Sequence, residues 1–316
     1  MHSSSLAGWA GAVMLAVLAN NGRAQVAGNP AKPAAVVNGE PISLAEVDAA
    51  LRTIGGPAAL EVPEAKRRQM RRDVLEVLIE NLLIQQFLRQ NGPRVDPGEV
   101  SKHLAELETA LRKQNKKLSD YLAENSMTDA QLRLQTLTGL QWRDYTKARV
   151  TEADVAQYYK DNKDFFDGTQ VRVSHIILRL PRNASPQEEQ ATHSKLQAIR
   201  QDIEAGKISF ADAAKNHSQC STAPEGGDVG FIRRKFMYEE SFAKAAFNPQ
   251  LRVGDMIGIV RTEYGLHLIK LTDRKPGQAT QYEKIKDNVR DVYIAELRMN
   301  IVARARKTAK IETAIQ

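Results

Sequence analysis

The feature that most constrains this chain is a change of hydrophobic period near Thr169. Up to about Lys160, apolar residues recur at the spacing of a helix face. From Val171 the pattern becomes a β-branched run, Val171, Val173, Ile176, Ile177 and Leu178, bounded by Gly168 and Pro181. Two periods in one chain predict two packed regions, one helical and one mixed. With 316 residues and 42% hydrophobic content, both can enclose a core. The expected class is therefore α+β: a helical domain with an inserted unit of antiparallel sheet and surrounding helices.

The helical region carries its own punctuation. Val36 and Val37 lead into Asn38-Gly39, a tight-turn pair that predicts a small hairpin. Ser43 stands three residues before Glu46, the spacing of a capping box, and Leu44, Val47 and Leu51 follow with helical period to about Ile54. Gly55, Gly56 and Pro57 break that helix. A long one from about Glu64 carries Val74, Leu78, Leu82, Leu83 and Phe87 until Asn91, Gly92 and Pro93 stop it. Asp96 before Pro97, with Glu99 following, predicts the next start, and Thr128 and Thr151 begin two more.

In the mixed region the spacing predicts a helix over 186–204, a short helix over 209–216 and a Gly-rich loop over 218–230. A third helix lies around Phe242, and two strands run through Ile257–Val260 and Leu266–Leu271. After Pro276 and Gly277 a last helix carries Ile285, Val289, Val292 and Leu297. With no sheet to join, it is expected to return to the helical bundle. The division read from sequence is a signal over 1–24, a linker over 25–35, a helical domain over 36–168, an inserted α+β unit over 169–276 and a returning helix over 277–316.

Residues 1–24 read as a cleaved export signal: an apolar stretch from Leu6 to Ala19, then Gly22, Arg23 and Ala24. That stretch is shorter than the roughly 20 residues a membrane-crossing helix needs. The expected location is the periplasm or another extracytoplasmic space, with the protein soluble and not inserted in a membrane after cleavage. The single cysteine, Cys220, allows no intramolecular disulfide. A formal charge of +7 is spread along amphipathic helices with no phosphate loop or zinc-finger spacing beside it, so nucleic acid is not an expected partner. His2, His103, His193 and His217 show no metal-ligand spacing with one another or with Cys220, and no metal is expected.

From Val171 to Arg274 the chain resembles the parvulin family. The markers come in a specific order: Ser174, His175 and Ile176; Phe210, Ala213 and Ala214; Ser218; Gly226, Gly227, Asp228, Val229 and Gly230; then Gly265, Leu266 and His267. The flanking segments, from Val36 to Lys160 and from Tyr282 onward, resemble the chaperone domains of SurA-like and PrsA-like proteins, in pattern more than motif. The resemblance implies a peptidyl-prolyl cis/trans isomerase and folding chaperone for exported proteins, acting without a cofactor on unfolded or proline-containing polypeptides of the cell envelope. A second reading stays open, a holdase chaperone whose parvulin unit only binds peptide.

By the same resemblance, His175 and His267 occupy paired positions at the back of the site, and Thr262 is placed to hydrogen-bond one ring and fix its tautomer. Cys220 stands where parvulins place either Cys or Asp, facing the rotating carbonyl, where a thiolate would act electrostatically. Val229, Met237 and Phe242 match the positions that grip the proline ring, with core packing as the rival role, above all for Val229. Gly226, Gly227 and Gly230 are assigned to backbone with positive φ. Arg179 and Arg182 follow the first strand, but the short loop containing Pro181 predicts no phosphoserine requirement.

Overall fold

The computed structural model describes residues 33–314 apart from 126 and 182; the signal and most of the linker read from the sequence lie outside the described residues. The chain divides into two compact units. One takes the described residues up to Val155 and those from Asp287 onward, and the other is Ala156–Lys286.

The first unit opens with strands β1 (Ala35–Val37) and β2 (Glu40–Ile42), joined through Asn38 and Gly39. Both turn residues have positive φ, 51° and 84°, as a two-residue hairpin requires. Strand β7 (Ile311–Thr313), near the other end of the chain, pairs antiparallel with β1, giving the order β2-β1-β7. The Asn38 side chain reinforces that closure by accepting from the Lys310 N–H at 2.8 Å. Nothing in the local pattern of residues 311–313 announces a strand; it exists because β1 offers a free edge.

Five α-helices follow the hairpin: α1 (Leu44–Gly55), α2 (Glu64–Asn91), α3 (Pro97–Lys113), α4 (Leu118–Glu124) and α5 (Asp129–Arg149). Ser43 and Glu46 form the expected capping box on α1, and Thr128 with Gln131 forms another on α5. Asp96 caps α3 by accepting from the Gly98 N–H at 2.8 Å. Helix α4, absent from the sequence reading, spans only seven residues and has none fully buried; its short apolar face, Leu118, Tyr121 and Leu122, packs half-buried against Val100, Leu104, Leu132 and Leu140. Two further helices, α6 (Glu152–Asp161) and α7 (Lys163–Phe166), lead to the mixed unit. The core of the first unit joins Val37, Leu51, Leu78, Leu82, Leu83, Leu88 and Tyr145 to Ile301 and Val302, which lie far along the sequence. Those two belong to the last helix, Tyr282–Thr308.

The mixed unit is a four-stranded antiparallel sheet in the order β4-β3-β6-β5, built from β3 (Gln170–Arg179), β4 (Asp228–Arg233), β5 (Met256–Thr262) and β6 (Gly265–Lys275). Strand β4 falls partly in the stretch read as loop, because Asp228 and Gly230 look like turn residues. Helices α8 (Pro186–Glu204) and α9 (Phe210–His217) cover one sheet face through Leu196, Ile199, Phe210 and Ala213, packed on Ile176, Leu178 and Leu268. Helix α10 (Glu240–Ala246) covers the other, where Phe242 and Ala246 meet Val171, Val173, Ile269 and Leu271. The long closing helix, Tyr282–Thr308, is α11.

Candidate active site

Two histidines meet on the α10 side of this sheet. In the β3/β6 register Ile177 faces His267 and His175 faces Ile269, so the histidines are diagonal neighbours on one sheet face. Their rings lie 5.3 Å apart at 22°, with Nδ1 to Nδ1 at 3.2 Å. One of these nitrogens must donate and the other accept, so the pair cannot be doubly protonated with this bond intact. Thr262, at the end of β5, has its hydroxyl 2.7 Å from His267 Nε2, and that oxygen also accepts the Tyr264 N–H at 3.2 Å. The chain Tyr264–Thr262–His267–His175 thus fixes both rings through atoms supplied by three strands and one turn.

Burial makes this chain electrostatically distinctive. His175 and His267 are each 5% exposed and Thr262 4%. Burial lowers the pKa of His175. Burial, then the charges of His175 and Arg261, push His267 down to about 3. Both rings are therefore neutral at physiological pH. His175 Nε2 has no hydrogen-bond partner among the described residues.

Phe242 lies edge-on to both imidazoles, 5.7 Å from His175 and 5.4 Å from His267, and is 1% exposed. Val229 is half-buried and packs in the same apolar cluster. Met237 is 53% exposed, with its sulfur accepting the Arg233 N–H at 3.3 Å. Among the proline-pocket residues read from sequence, Phe242 and Val229 thus share a cluster while Met237 stands at the surface.

Cys220 is set by the segment that runs beside β3. Ser218 Oγ accepts the Ile177 N–H at 3.1 Å, the Gln219 N–H donates to the Ile177 carbonyl at 2.9 Å, and the Arg179 N–H donates to Gln219 Oε1 at 2.6 Å. Gly227 closes this segment against the strand, its φ is 78°, and a Cβ there would fall 2.3 Å from the His175 carbonyl oxygen. Only glycine fits. The Cys220 thiol is half-buried. Burial pushes it up, hydrogen bonds from Thr222 and Ser221 pull it down further, and the net position is below the ordinary thiol value.

Tyr238 went unnoticed in the sequence. Its ring stacks on Phe242 at 5.0 Å and 22°. Burial, and secondarily the charge of Cys220, raise its phenol above the ordinary tyrosine value. Its side chain thus relates Cys220 to the aromatic and histidine cluster. The only available sequence signal is its spacing, four residues before Phe242.

The first unit has a separate open groove of about 660 Å³. Leu83, Phe87, Tyr145, Leu297 and Ile301 supply apolar walls, and Arg149 and Arg304 stand at its edge with no acidic residue in the lining. The Arg149 guanidinium lies 4.5 Å from the centre of the Tyr145 ring. Among the described residues, no helix is long and apolar enough to cross a membrane, and no cluster of His, Cys, Asp and Glu could hold a metal ion.

An antiparallel sheet with two hydrogen-bonded, buried histidines on neighbouring strands and an aromatic ring set against both defines a parvulin-type domain. The comparisons agree on this class. Residues 175–273 match the family model of the PPIC-type PPIase domain, and residues 2–146 match that of the SurA-like N-terminal domain. Pin1 of Malus domestica, named a peptidyl-prolyl cis-trans isomerase, is 39% identical over 118 residues, covering 95% of that protein and 33% of this chain. The foldase protein PrsA of Bacillus subtilis is 29% identical over 214 residues, 66% of this chain and 63% of PrsA. The chaperone SurA of Aromatoleum aromaticum is 26% identical over 263 residues, 80% of this chain and 58% of SurA. The chain belongs to the parvulin family of peptidyl-prolyl isomerases, with a SurA-like N-terminal domain. It spans about three fifths of the length of these SurA and PrsA relatives.

Proposed function

We propose that the protein is a peptidyl-prolyl cis/trans isomerase and folding chaperone for exported polypeptides. Resonance imposes a barrier of roughly 18–20 kcal/mol on rotation about a peptide bond, and uncatalysed X-Pro isomerisation is slow enough to limit folding. Rotation breaks no bond and calls for no cofactor. A catalyst needs an apolar slot for the pyrrolidine and a polar surround that favours the twisted amide over the planar one. The observation that carries the reading is the buried chain Thr262–His267–His175 lying edge-on to Phe242.

In this reading the two neutral imidazoles and Thr262 act as fixed dipoles rather than proton shuttles, since burial holds both rings in their neutral form. Preorganisation avoids the reorientation that water would need around the twisted amide. Cys220, its thiol held toward the charged form, supplies an electrostatic contribution near the rotating carbonyl. Phe242, Val229 and Met237 contact the proline ring. The groove with Arg149 and Arg304 holds extended client segments, favouring those with acidic and aromatic side chains. Residues 1–24 direct export, placing the mature protein in the periplasm or a comparable extracytoplasmic space. The functional division is 36–168 with 277–316 as chaperone domain and 169–276 as isomerase.

A protease-coupled assay on a proline tetrapeptide, with protein lacking residues 1–24, tests the enzyme. Acceleration over buffer is expected; none, with a folded circular dichroism spectrum, would remove the catalytic claim. The holdase reading is favoured as a coexisting activity by the groove's separateness from the histidine site. Deleting residues 169–276 should leave suppression of client aggregation in place.

A further inference from the structure

We propose that Tyr238 gates the proline slot: its ring occupies the face of Phe242 on which a substrate pyrrolidine would stack, and the substrate must displace it. The inference rests on the isomerase reading above and adds a residue that sets the enzyme's apparent affinity.

The geometry is that of a plug. Tyr238 and Phe242 are offset-parallel at 5.0 Å and 22°, an ordinary stacking arrangement for two aromatic rings. The edges of the Phe242 cluster are taken by His175 and His267, at 5.7 and 5.4 Å. With these three and the apolar side chains of its cluster, among them Ala246, Ile269 and Val229, packed around it, Phe242 is 1% exposed, so a ring from outside must displace a neighbour to reach it. The histidines cannot leave cheaply, because the Thr262–His267–His175 hydrogen bonds hold them. Tyr238 can. It is half-buried, and no hydrogen bond ties its hydroxyl to a described residue.

The surrounding segment holds Tyr238 in place without locking its side chain. Arg234, itself buried, makes two hydrogen bonds to the Glu240 carboxylate at 2.9 and 2.6 Å, and Glu239 accepts the Glu263 N–H at 2.8 Å. Between these anchors, Phe236 adopts φ of 65°, unusual for an aromatic residue, and its ring packs edge-on against Phe165 at 5.6 Å. Backbone fixed on both sides leaves side-chain rotation of Tyr238 as the route that uncovers Phe242. A site that is competent only when uncovered binds with an apparent constant raised by the reciprocal of its open fraction.

The test is steady-state kinetics on a proline tetrapeptide with the full chain lacking residues 1–24. Tyr238→Ala is expected to lower KM about three- to tenfold with kcat changed by less than about twofold, because the covered state is removed and the histidine chain is untouched. Tyr238→Phe should restore the wild-type KM, since stacking does not need the hydroxyl. In wild-type protein, saturating peptide should move the Tyr238 ring proton resonances away from their ring-current-shifted positions. A higher KM in Tyr238→Ala, or Tyr238 resonances that stay fixed while those of His267 respond to peptide, would make Tyr238 a wall of the slot and overturn the proposal. Absence of catalysis in wild type and Tyr238→Ala alike would instead remove the isomerase reading beneath it.

Discussion

The two candidate binding regions of this protein solve opposite problems. At the histidine site every polar side chain in the chain Thr262–His267–His175 is at most 5% exposed and is held by a partner on another strand. In the groove of the helical unit the charged groups, Arg149 and Arg304, stand in water at the edge of an apolar floor. A buried polar network has one good arrangement and loses heavily when a member is removed. An open cationic edge tolerates many arrangements and gains little from any one. The first suits a reaction that needs a fixed field around one bond, and the second suits holding chains of varied sequence.

The largest effect separating the two should come from His267→Ala. It leaves Thr262 and His175 without their shared partner and opens a cavity beside Phe242, and we expect a loss of about 3–5 kcal/mol in the stability of the isomerase unit. Denaturant melts should show that unit unfolding first while helical signal from the other persists. A single, unchanged transition would break the contrast.

Acid comes next. Both histidines have folded pKa values below the ordinary value of about 6.5, His267 near 3. Above pH 6.5 neither state takes up a proton at these sites. As pH falls from 6.5 toward 3 the unfolded state binds a proton that folded His267 refuses, so stability declines by up to about 1.4 kcal/mol per pH unit from that ring, and the lowered pKa of His175 adds to the fall in the same direction below 6.5. Thermal melts of the isomerase unit at pH 7 and pH 5 should show that fall, and equal midpoints would contradict the burial argument. Cys220→Ala should then cost about tenfold in kcat/KM, and Cys220→Asp should retain most activity, because the role assigned to the thiol is a charge. The protease-coupled assay checks both variants.

The smallest effect belongs to the groove. Reversing both cations, Arg149→Glu with Arg304→Glu, should weaken binding of an unfolded acidic, aromatic-containing client about three- to tenfold at low salt, with less change at high salt and none in isomerase kinetics. Fluorescence anisotropy of a labelled client measures it. An equal loss of catalysis would mean that the two sites are not separate.

Which parts were legible in the sequence follows the same division between local and long-range causes. Helix starts at Ser43, Asp96 and Thr128 were readable because a cap needs only residues a few positions apart. The hairpin at Asn38-Gly39 was readable for the same reason. Strand β7 was not, since residues 311–313 become a strand only by pairing with β1 across almost the whole chain. Strand β4 hid behind the turn-forming look of Asp228 and Gly230. At the site, family order singled out His175, Thr262 and His267, whose hydrogen bonds depend on the β5–β6 turn and the β3/β6 register. Tyr238 was invisible because a tyrosine in a polar-looking loop carries no sign of the ring it will stack on. The exposure of Met237 was equally unreadable, because a methionine's sequence neighbours do not say whether its sulfur will be taken by a backbone N–H.

The most direct test of the central claim is two-dimensional exchange spectroscopy on a proline peptide whose cis and trans resonances are resolved, with a sub-stoichiometric amount of protein lacking residues 1–24. Cis-to-trans exchange peaks should appear at mixing times of tens to hundreds of milliseconds, far faster than uncatalysed isomerisation, and should vanish with His267→Ala protein. Cis and trans signals that stay unconnected while the wild-type isomerase unit gives a dispersed, folded spectrum would contradict it.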